Sequence, residues 1–345
     1  MKEKYLIILL IAISMFGILT HFADKRDLLD EPHYVKVVEF FRTGVMTEPS
    51  PYALRLLIPF IVSISPINVY TSFYILNAIF WIATTLLLYL FVKELYKDNN
   101  IAFFAAFFFA TSIPLLIYAI QTHVDMGAYF FAMIGVYALN RYKNSTSIKH
   151  YLLLSTIIVL AVTAKETNIF LLATIWFLEF TNKKRNINKI LLISFIVFSY
   201  VFLLQAAIGN TYYNTPVGDL NAVIRNSAPE LLPPRLGTVV IAFNLTWLLA
   251  YIGYRNEINS ERKRFLKMIF LSLVPIQIFS FFTAAYGTRI VILFFPAIMS
   301  LAALGLKKFV SGGKYLSTNQ RTISILAAYF IISNIVALPF VEMPF

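Results

Sequence analysis

The chain has 345 residues, of which 59% are hydrophobic and only 13% are charged, and its formal net charge is +12. Its mean hydropathy of +0.75 exceeds what a soluble core requires, so the composition indicates an integral membrane protein and excludes an ordinary soluble enzyme. Cysteine is absent, which excludes disulfides and thiolate metal sites.

Apolar segments recur along the whole chain. A helix needs roughly 20 apolar residues to cross a bilayer core, and several segments approach this length. They predict an all-α polytopic bundle of about eleven spans, in a single transmembrane domain over 1–345 without a soluble C-terminal domain. The segments are 5–20, 67–92, 101–120, 126–140, 151–164, 167–180, 190–208, 237–254, 268–285, 290–306 and 322–340.

The distribution of basic residues predicts the orientation, because Lys and Arg accumulate on cytoplasmic loops. With a cytoplasmic N-terminus, 20 of the 29 basic residues lie on the inner loops, so the inner side carries about +14 and the outer side about −2. Topology and attraction to anionic membrane lipid then account for the excess charge, and no nucleic-acid partner is required. Segment 5–20 lacks a small-x-small cleavage site and is predicted to be an uncleaved anchor.

The predicted first outer loop, residues 21–66, holds the densest group of acidic residues. Asp24 and Asp27 bracket two basic residues, which is typical of a solvated loop. Asp30 and Glu31 stand directly before a proline and a predicted helix, and are the stronger candidates for chemistry.

Two short helices are predicted within this loop. The run 35–42, which follows His33, mixes apolar and charged residues and suits an interfacial helix. Segment 51–66 contains Arg55 and is bounded by prolines, which predicts a second interfacial or half-inserted helix. Arg55 either binds an anion or extends to lipid headgroups.

His123 and Asp125 close the next predicted outer turn, at the edge of the apolar segment 126–140. Ionisable residues at membrane depth are functional candidates by default. Spacing i, i+2 does not place both side chains on one helical face, so joint binding of an ion requires a non-helical turn.

Lys165 and Glu166 separate two apolar segments, 151–164 and 167–180. At ~1.5 Å per residue each segment covers only ~21 Å, against a hydrocarbon core of about 30 Å. Either the segments form a shallow hairpin with the pair recessed, or 151–180 is one long tilted helix. The hairpin is favoured because the long helix would move a basic cluster to the outer side. A purely structural role for the pair stays open.

Two further outer segments carry polar and aromatic residues. Tyr286 and Arg289 lie between two predicted spans, and loop 209–236 is long enough to be a lid over a site or a connector. The outer loops 21–66 and 209–236 are predicted to cover the site.

This arrangement resembles the GT-C superfamily of integral membrane glycosyltransferases. An uncleaved first span, an outer loop with acidic residues directly after it, two juxtamembrane helices and a polytopic bundle carry the resemblance. It implies a sugar transfer from a polyprenyl-phosphate or pyrophosphate donor, with acidic residues of the first outer loop supplying the catalytic base or metal contacts. Asp30 and Glu31 match these acidic residues best, with Asp24 and Asp27 as competitors. The implied partners are the lipid-linked donor and a glycan, lipid or protein acceptor.

The residue types suit an inverting transfer on the non-cytoplasmic face. A carboxylate takes the proton of the acceptor, and cations neutralise the leaving phosphate. Arg289, Lys165 and Arg55 are predicted to bind the donor phosphate. Residues predicted to bind substrate are His33, His123, Asp125, Glu166 and Tyr286.

A divalent metal, Mg²⁺ or Mn²⁺, is an alternative source of positive charge, with Asp30 and Asp125 as its ligands. Two other functions stay open from the sequence. A transporter or flippase for a lipid-linked or anionic substrate would place its charges near the midplane on broken helices. A non-catalytic assembly subunit would tolerate replacement of the acidic and basic residues.

Overall fold

The structure is a computed structural model that describes residues 2–22, 30–48, 52–181, 186–208, 232–283, 287–311 and 318–341. All regular secondary structure in these ranges is helical, as predicted. The α-helices are α1 (Lys2–Phe22), α2 (Glu31–Thr43), α3 (Leu57–Ser63), α4 (Val69–Tyr96), α5 (Asn99–Ala110), α6 (Ile113–Ile120), α7 (Asp125–Tyr142), α8 (Ile148–Ala164), α9 (Phe170–Phe180), α10 (Ile187–Ile208), α11 (Leu232–Phe243), α12 (Leu245–Asn256), α13 (Ser260–Thr283), α14 (Gly287–Val291), α15 (Phe295–Ser311) and α16 (Thr318–Val341).

The part of the chain that the structure describes contains fewer candidate membrane spans than predicted. Within the described ranges, three helical segments are long and apolar enough to cross a bilayer core, namely Val69–Tyr96, Ile187–Leu204 and Arg289–Ser311. Two bent helix pairs raise the number to five if each pair is one span. The eleven predicted spans are therefore not confirmed, because many of the apolar segments form helices that are too short, as α8 and α9 do, with 17 and 11 residues.

Two segments predicted as spans are bent. Segment 101–120 divides into α5 and α6, which meet at 57°, and segment 237–254 divides into α11 and α12, which meet at 73°. Pro114 explains the first bend, since it stands in the first turn of α6 and its ring would clash with the carbonyl of Ala110 in a continuous helix. At the second bend, Asn244 adopts φ +33° and its side chain accepts from the Leu245 amide.

The helix also breaks at Lys165, whose backbone is extended. A 3₁₀ turn over Glu166–Ile169 follows and leads into α9. The single long helix over 151–180 is therefore wrong. Helix α8 packs mainly on α7 and α10, whereas helix α9 packs mainly on α13. The favoured hairpin therefore lacks an extensive interface between its two helices.

Helix α2 packs part of the predicted first outer loop against the bundle, and it covers the predicted amphipathic run 35–42. Helix α2 buries Tyr34, Val37 and Val38 and ends at Gly44, whose φ of +76° suits a helix C-cap. The predicted second interfacial helix is divided into a 3₁₀ turn over Tyr52–Leu54 and the short helix α3.

Aromatic and glycine contacts join the remaining helices. Trp81 of α4 stacks on Phe109 of α5 at 4.8 Å between ring centroids, and Phe109 contacts Phe295 of α15 at 4.9 Å. Helices α12 and α15 cross in backbone contact, because a Cβ on Gly253 would lie 1.8 Å from the Leu301 carbonyl oxygen. This packing holds α15, and with it the adjacent short helix α14, against the centre of the bundle.

Candidate active site

Ionisable side chains from five separate segments meet beside the ends of α2, α7 and α14. Three carboxylates each contact a cation, and a histidine lies between two of the pairs. We name this group the ion-pair cluster. Its members are Asp30, Arg289, Asp125, Lys165, Glu166, Arg55 and His123.

Asp30, the residue that precedes α2, is buried and held by three groups. One carboxylate oxygen accepts from Arg289 Nη1, the other accepts from the Tyr52 hydroxyl at 2.8 Å, and His123 Nδ1 lies 3.8 Å away. Burial alone would raise the pKa of Asp30, but the positive charge of Arg289, the nearby His123 and the two hydrogen bonds outweigh it and hold the pKa below its ordinary value. Asp30 is therefore ionised at neutral pH.

Arg289 of α14 connects both buried aspartates with His123. Its Nη1 donates to Asp30, its Nη2 contacts His123 Nε2 at 3.1 Å, and its Nε lies 3.7 Å from Asp125 Oδ2. The guanidinium stacks over the Tyr118 ring at 5.6 Å. The backbone is fixed as well, since Tyr129 donates to the Arg289 carbonyl at 3.0 Å.

The contact with Arg289 assigns the tautomer of a neutral His123. Because a guanidinium only donates, Nε2 must accept, which leaves the ring proton on Nδ1. That atom lies 3.8 Å from Asp30 Oδ2 and 3.9 Å from Asp125 Oδ2. The imidazole N–H therefore faces the two carboxylates.

Asp125 and Lys165 form a fully enclosed pair. Asp125 is the first residue of α7, where the positive end of the helix dipole favours a carboxylate, and its Oδ1 accepts from Lys165 Nζ. Both residues are buried. Asn168 fixes the turn behind Lys165 by donating to the carbonyls of Ala128 in α7, at 3.1 Å, and Ala161 in α8, at 2.9 Å.

Arg55 and Glu166 form a bidentate pair, with Nη2 to Oε1 at 2.5 Å and Nε to Oε2 at 2.8 Å. The remaining Nη1 of Arg55 donates to the Tyr34 hydroxyl at 2.6 Å. Arg55 is buried, so it does not extend to headgroups, whereas 38% of the Glu166 side chain is exposed. This pair therefore forms the more accessible edge of the cluster.

The other predicted residues lie at the periphery or outside the described ranges. His33 binds Glu48 at 2.5 Å and stacks on Tyr52 at 4.3 Å, so it supports the cluster through Tyr52. Glu31 is half-buried and lines a neighbouring cavity instead of joining an ion pair in the cluster. Asp24, Asp27, Tyr286 and residues 209–231 of the predicted covering loop are outside the described residues.

Sequence reasoning missed the neutral residues that hold the cluster. Tyr34 and Tyr52 link Arg55 and Asp30, and their side chains contact edge-on at 5.5 Å. Asn77 of α4 is fully buried and donates to the carbonyls of Gln121 at 2.9 Å and His123 at 3.2 Å. An asparagine in the middle of the apolar segment 67–92 was a signal that could have identified it.

The described side chains do not form a metal-binding set. No three His, Asp or Glu side chains in the described ranges are placed to hold one ion. The predicted ligands Asp30 and Asp125 each contact a cation, Arg289 and Lys165 respectively. These two cations supply the local positive charge, and a role for Mg²⁺ or Mn²⁺ stays a prediction.

Comparisons with known proteins agree with this architecture. Residues 50–208 match the family model PMT_2, described as dolichyl-phosphate-mannose-protein mannosyltransferase. The matched range contains Arg55, Asn77 and Asp125, and excludes Asp30 and Arg289. No curated protein matches the sequence.

Three solved structures of an oligosaccharyltransferase from Archaeoglobus fulgidus share the fold. The apo form superimposes with a TM-score of 0.64 at 12% identity, covering 97% of this chain and 55% of that one. The enzyme AglB in complex with an inhibitory peptide and a dolichol-phosphate gives 0.60 at 12% identity, covering 99% and 55%. The form tethered with an acceptor peptide gives 0.56 at 13% identity, covering 97% and 54%.

The chain thus spans about half the length of the solved proteins that it resembles. At this identity the superpositions establish the fold, and the family model independently matches the segment that supplies Arg55, His123, Asp125, Lys165 and Glu166. The resemblance to the GT-C superfamily of membrane glycosyltransferases that the sequence indicates is confirmed at the level of the fold.

Proposed function

We propose that the chain is an inverting glycosyltransferase that moves a sugar from a polyprenyl-phosphate or pyrophosphate donor to an acceptor on the non-cytoplasmic side of a membrane. The observation that carries this proposal is the contact between Asp30 and Arg289 inside a cluster that also holds Lys165, Asp125 and His123. The cluster joins a carboxylate base with cations for a phosphate, which are the two requirements of the reaction.

The described side chains supply the base and the cations that the transfer requires. The acceptor hydroxyl oxygen attacks the anomeric carbon, the bond from that carbon to the phosphate oxygen breaks, and attack from the opposite face inverts the configuration. Asp30 accepts the hydroxyl proton. The electron pair of the broken bond leaves on the polyprenyl phosphate, whose negative charge Arg289 and Lys165 neutralise.

Donor binding would also prepare the base. In the structure Arg289 is neutralised by Asp30 and lies near Asp125. A phosphate that binds Arg289 competes with Asp30 for the guanidinium, and weakening this pair raises the pKa of Asp30 toward the range in which it accepts a proton. His123, whose Nδ1 faces both aspartates, would hold their positions during this exchange.

The second carboxylate–arginine pair would bind donor and acceptor at the accessible edge. Arg55 offers a planar guanidinium, and the partly exposed Glu166 offers oxygens that accept from sugar hydroxyls. Glu31 lies one residue from Asp30 and is the second candidate base. His33 would act indirectly, through its stacking on Tyr52.

Several observations support a lipid-linked donor and a membrane location. Apolar helices account for most of the fold, and one of the similar enzymes is bound to dolichol-phosphate. The distribution of basic residues supports a site on the non-cytoplasmic side, with a cytoplasmic N-terminus. Nucleotide sugars are cytoplasmic, so a lipid carrier is the donor consistent with this side.

Profiling of lipid-linked saccharides and glycans in cells tests the function. Cells carrying Asp30→Asn, Glu31→Gln or Arg289→Ala are compared with cells carrying the unchanged chain, at matched protein abundance and membrane insertion. Loss of one sugar from a product in Asp30→Asn and Arg289→Ala, with accumulation of its lipid-linked donor, is expected. Unchanged profiles in all three variants would contradict a transferase.

Transport of a lipid-linked or anionic substrate is the second candidate. The bends of 57° and 73° and the helix break at Lys165 are the observations that favour it, because broken helices form substrate sites in transporters. A transporter forms no glycosidic bond. Movement of labelled lipid-linked sugar across a vesicle bilayer, without a new glycoside, would select this alternative.

A further inference from the structure

A cavity of about 390 Å³ is lined in part by residues that adjoin two members of the ion-pair cluster in the sequence. Its described lining includes Glu31, Tyr70, Thr71, Tyr74, Gln121 and Thr122. Of these, only Glu31 was singled out from the sequence, and none is a member of the cluster. The lining of the cavity is therefore distinct from the ion-pair cluster.

Chain connectivity ties the cavity to the proposed catalytic residues. Glu31 directly follows Asp30, and Thr122 directly precedes His123. The Asn77 side chain holds the carbonyls on both sides of Thr122, those of Gln121 and His123, at 2.9 and 3.2 Å. One segment, fixed from α4, thus forms a wall of the cavity and also positions His123 in the cluster.

The same face of α4 supplies the aromatic side of the cavity. Tyr70, Tyr74 and Asn77 follow the i, i+4, i+7 spacing that places side chains on one helical face. Tyr70 is 49% exposed, so its ring is available to a ligand. Aromatic faces of this kind pack against the apolar C–H face of a sugar ring, while hydroxyl groups point to polar neighbours.

The charges of the lining select the type of ligand. The described lining residues include a carboxylate, an amide and hydroxyls, which accept from or donate to sugar hydroxyls. No Lys or Arg is among them, so an anionic donor phosphate is disfavoured here and belongs with Arg289 and Lys165 in the cluster. The volume is near the lower end of ordinary ligand pockets, about 300–1,000 Å³, which suits a sugar ring.

We propose that this cavity is the acceptor subsite and that it binds a neutral carbohydrate, which makes the acceptor a glycan or glycolipid. The proposal rests on the proposed function. An acceptor sugar that packs against Tyr70 and Tyr74 and hydrogen-bonds Glu31 and Gln121 would present a hydroxyl toward Asp30. A peptide acceptor is the competing possibility that the experiment must separate.

Saturation-transfer-difference NMR on the full chain in lipid nanodiscs tests this assignment without turnover. The probes are a panel of neutral methyl hexopyranosides and a matched panel of short peptides that contain Ser, Thr and Asn. The variants are Tyr70→Ala and Gln121→Ala, which alter the cavity. The control is Tyr251→Ala, since Tyr251 is 59% exposed on α12 and is not among the cavity-lining residues.

Saturable glycoside binding is expected, weakened about 3- to 10-fold in Tyr70→Ala and in Gln121→Ala and unchanged in Tyr251→Ala. Binding should persist in Asp30→Asn, which separates the subsite from catalysis. Preference for peptides, or equal glycoside binding by Tyr70→Ala and the unchanged chain, would overturn the assignment. Absence of glycoside binding by a chain that transfers sugar in cells would overturn the subsite and leave the transferase function intact.

Discussion

Arg289 donates a hydrogen bond to Asp30 across a sequence separation of 259 residues. Asp30 precedes the first-loop helix α2, and Arg289 stands in α14 just before the long buried helix α15. The contact therefore connects the beginning of the fold with its last third. Both residues are buried, so neither can be changed without consequences for its partner.

Replacement of Arg289 by alanine should strongly destabilise the protein. It leaves Asp30 and Asp125 without the guanidinium between them, and removal of one partner of a buried pair costs about 3–5 kcal/mol. Arg289→Lys should recover part of the stability and little activity, because an ammonium cannot reproduce the planar contacts to Asp30 and His123. Thermal unfolding in detergent measures the difference. The Arg255→Ala variant, which changes an exposed arginine on α12, should unfold at the same temperature as the unchanged chain. Equal unfolding temperatures for Arg289→Ala, Arg289→Lys and Arg255→Ala would contradict a stabilising role of Arg289.

The stability that Asp30 contributes should depend on pH in a defined direction. Its pKa is lowered in the folded chain, because the charges and hydrogen bonds around it outweigh burial. The contribution is then fully present above the unfolded pKa of about 3.9 and is lost as pH falls through the lower folded pKa. The difference in unfolding temperature between the unchanged chain and Asp30→Asn should be constant from about pH 7 to 5 and shrink below about pH 4. A difference that grows on acidification would contradict the assigned shift.

Asn77 should act as a positioning residue. Its amide holds the segment that carries Gln121, Thr122 and His123, and Asn77→Leu keeps the approximate size while removing both hydrogen bonds. We expect a stability loss of about 1–3 kcal/mol and a larger fall in kcat than in donor affinity. Asn256→Ala, which removes an exposed hydrogen bond at the end of α12, is the matched control. A variant with normal kcat would show that this segment does not position the site.

The crossing of α12 and α15 should depend on glycine. A Cβ on Gly305 would lie 2.0 Å from the Leu249 carbonyl oxygen, so Gly305→Ala must separate the helices. We expect a marked loss of folded protein on size-exclusion chromatography in detergent. Gly17→Ala is the control because nothing lies within 4 Å of its Cβ position. Equal yields of the two variants would contradict backbone contact at the crossing.

The sequence predicted the charged residues of the cluster better than the supports around them. Asp125, Lys165 and Arg289 lie at the ends of apolar segments and Asp30 lies in the acidic first loop. Burial of a charge in such a fold requires a partner. Their pairing depends on which helix ends meet in three dimensions, which no local pattern contains. The association of Arg55 with Glu166, across 111 residues, is of this kind.

The prediction of eleven spans is not confirmed, and the reason is local. A window of apolar residues does not register Pro114 or Asn244 as interruptions, although one blocks the helical hydrogen bond and the other turns the chain with φ +33°. Tyr34 and Tyr52 were missed because tyrosine is common in membrane proteins and gains its role only through the positions of Arg55 and Asp30. Hydropathy therefore located the elements and left their geometry undetermined.

Sugar transfer by the purified chain tests the central claim most directly. The full chain in lipid nanodiscs is incubated with radiolabelled lipid-linked saccharides extracted from its own host membranes, together with a membrane acceptor fraction. The unchanged chain and Asp98→Asn, which alters an ion pair with Lys307 at the far end of α4, should transfer label and release polyprenyl phosphate. Asp30→Asn should be slower by about 10²–10⁴-fold, the usual contribution of a general base. Equal transfer by Asp30→Asn and the unchanged chain would contradict Asp30 as the base, and absence of transfer by the unchanged chain would contradict the enzyme itself.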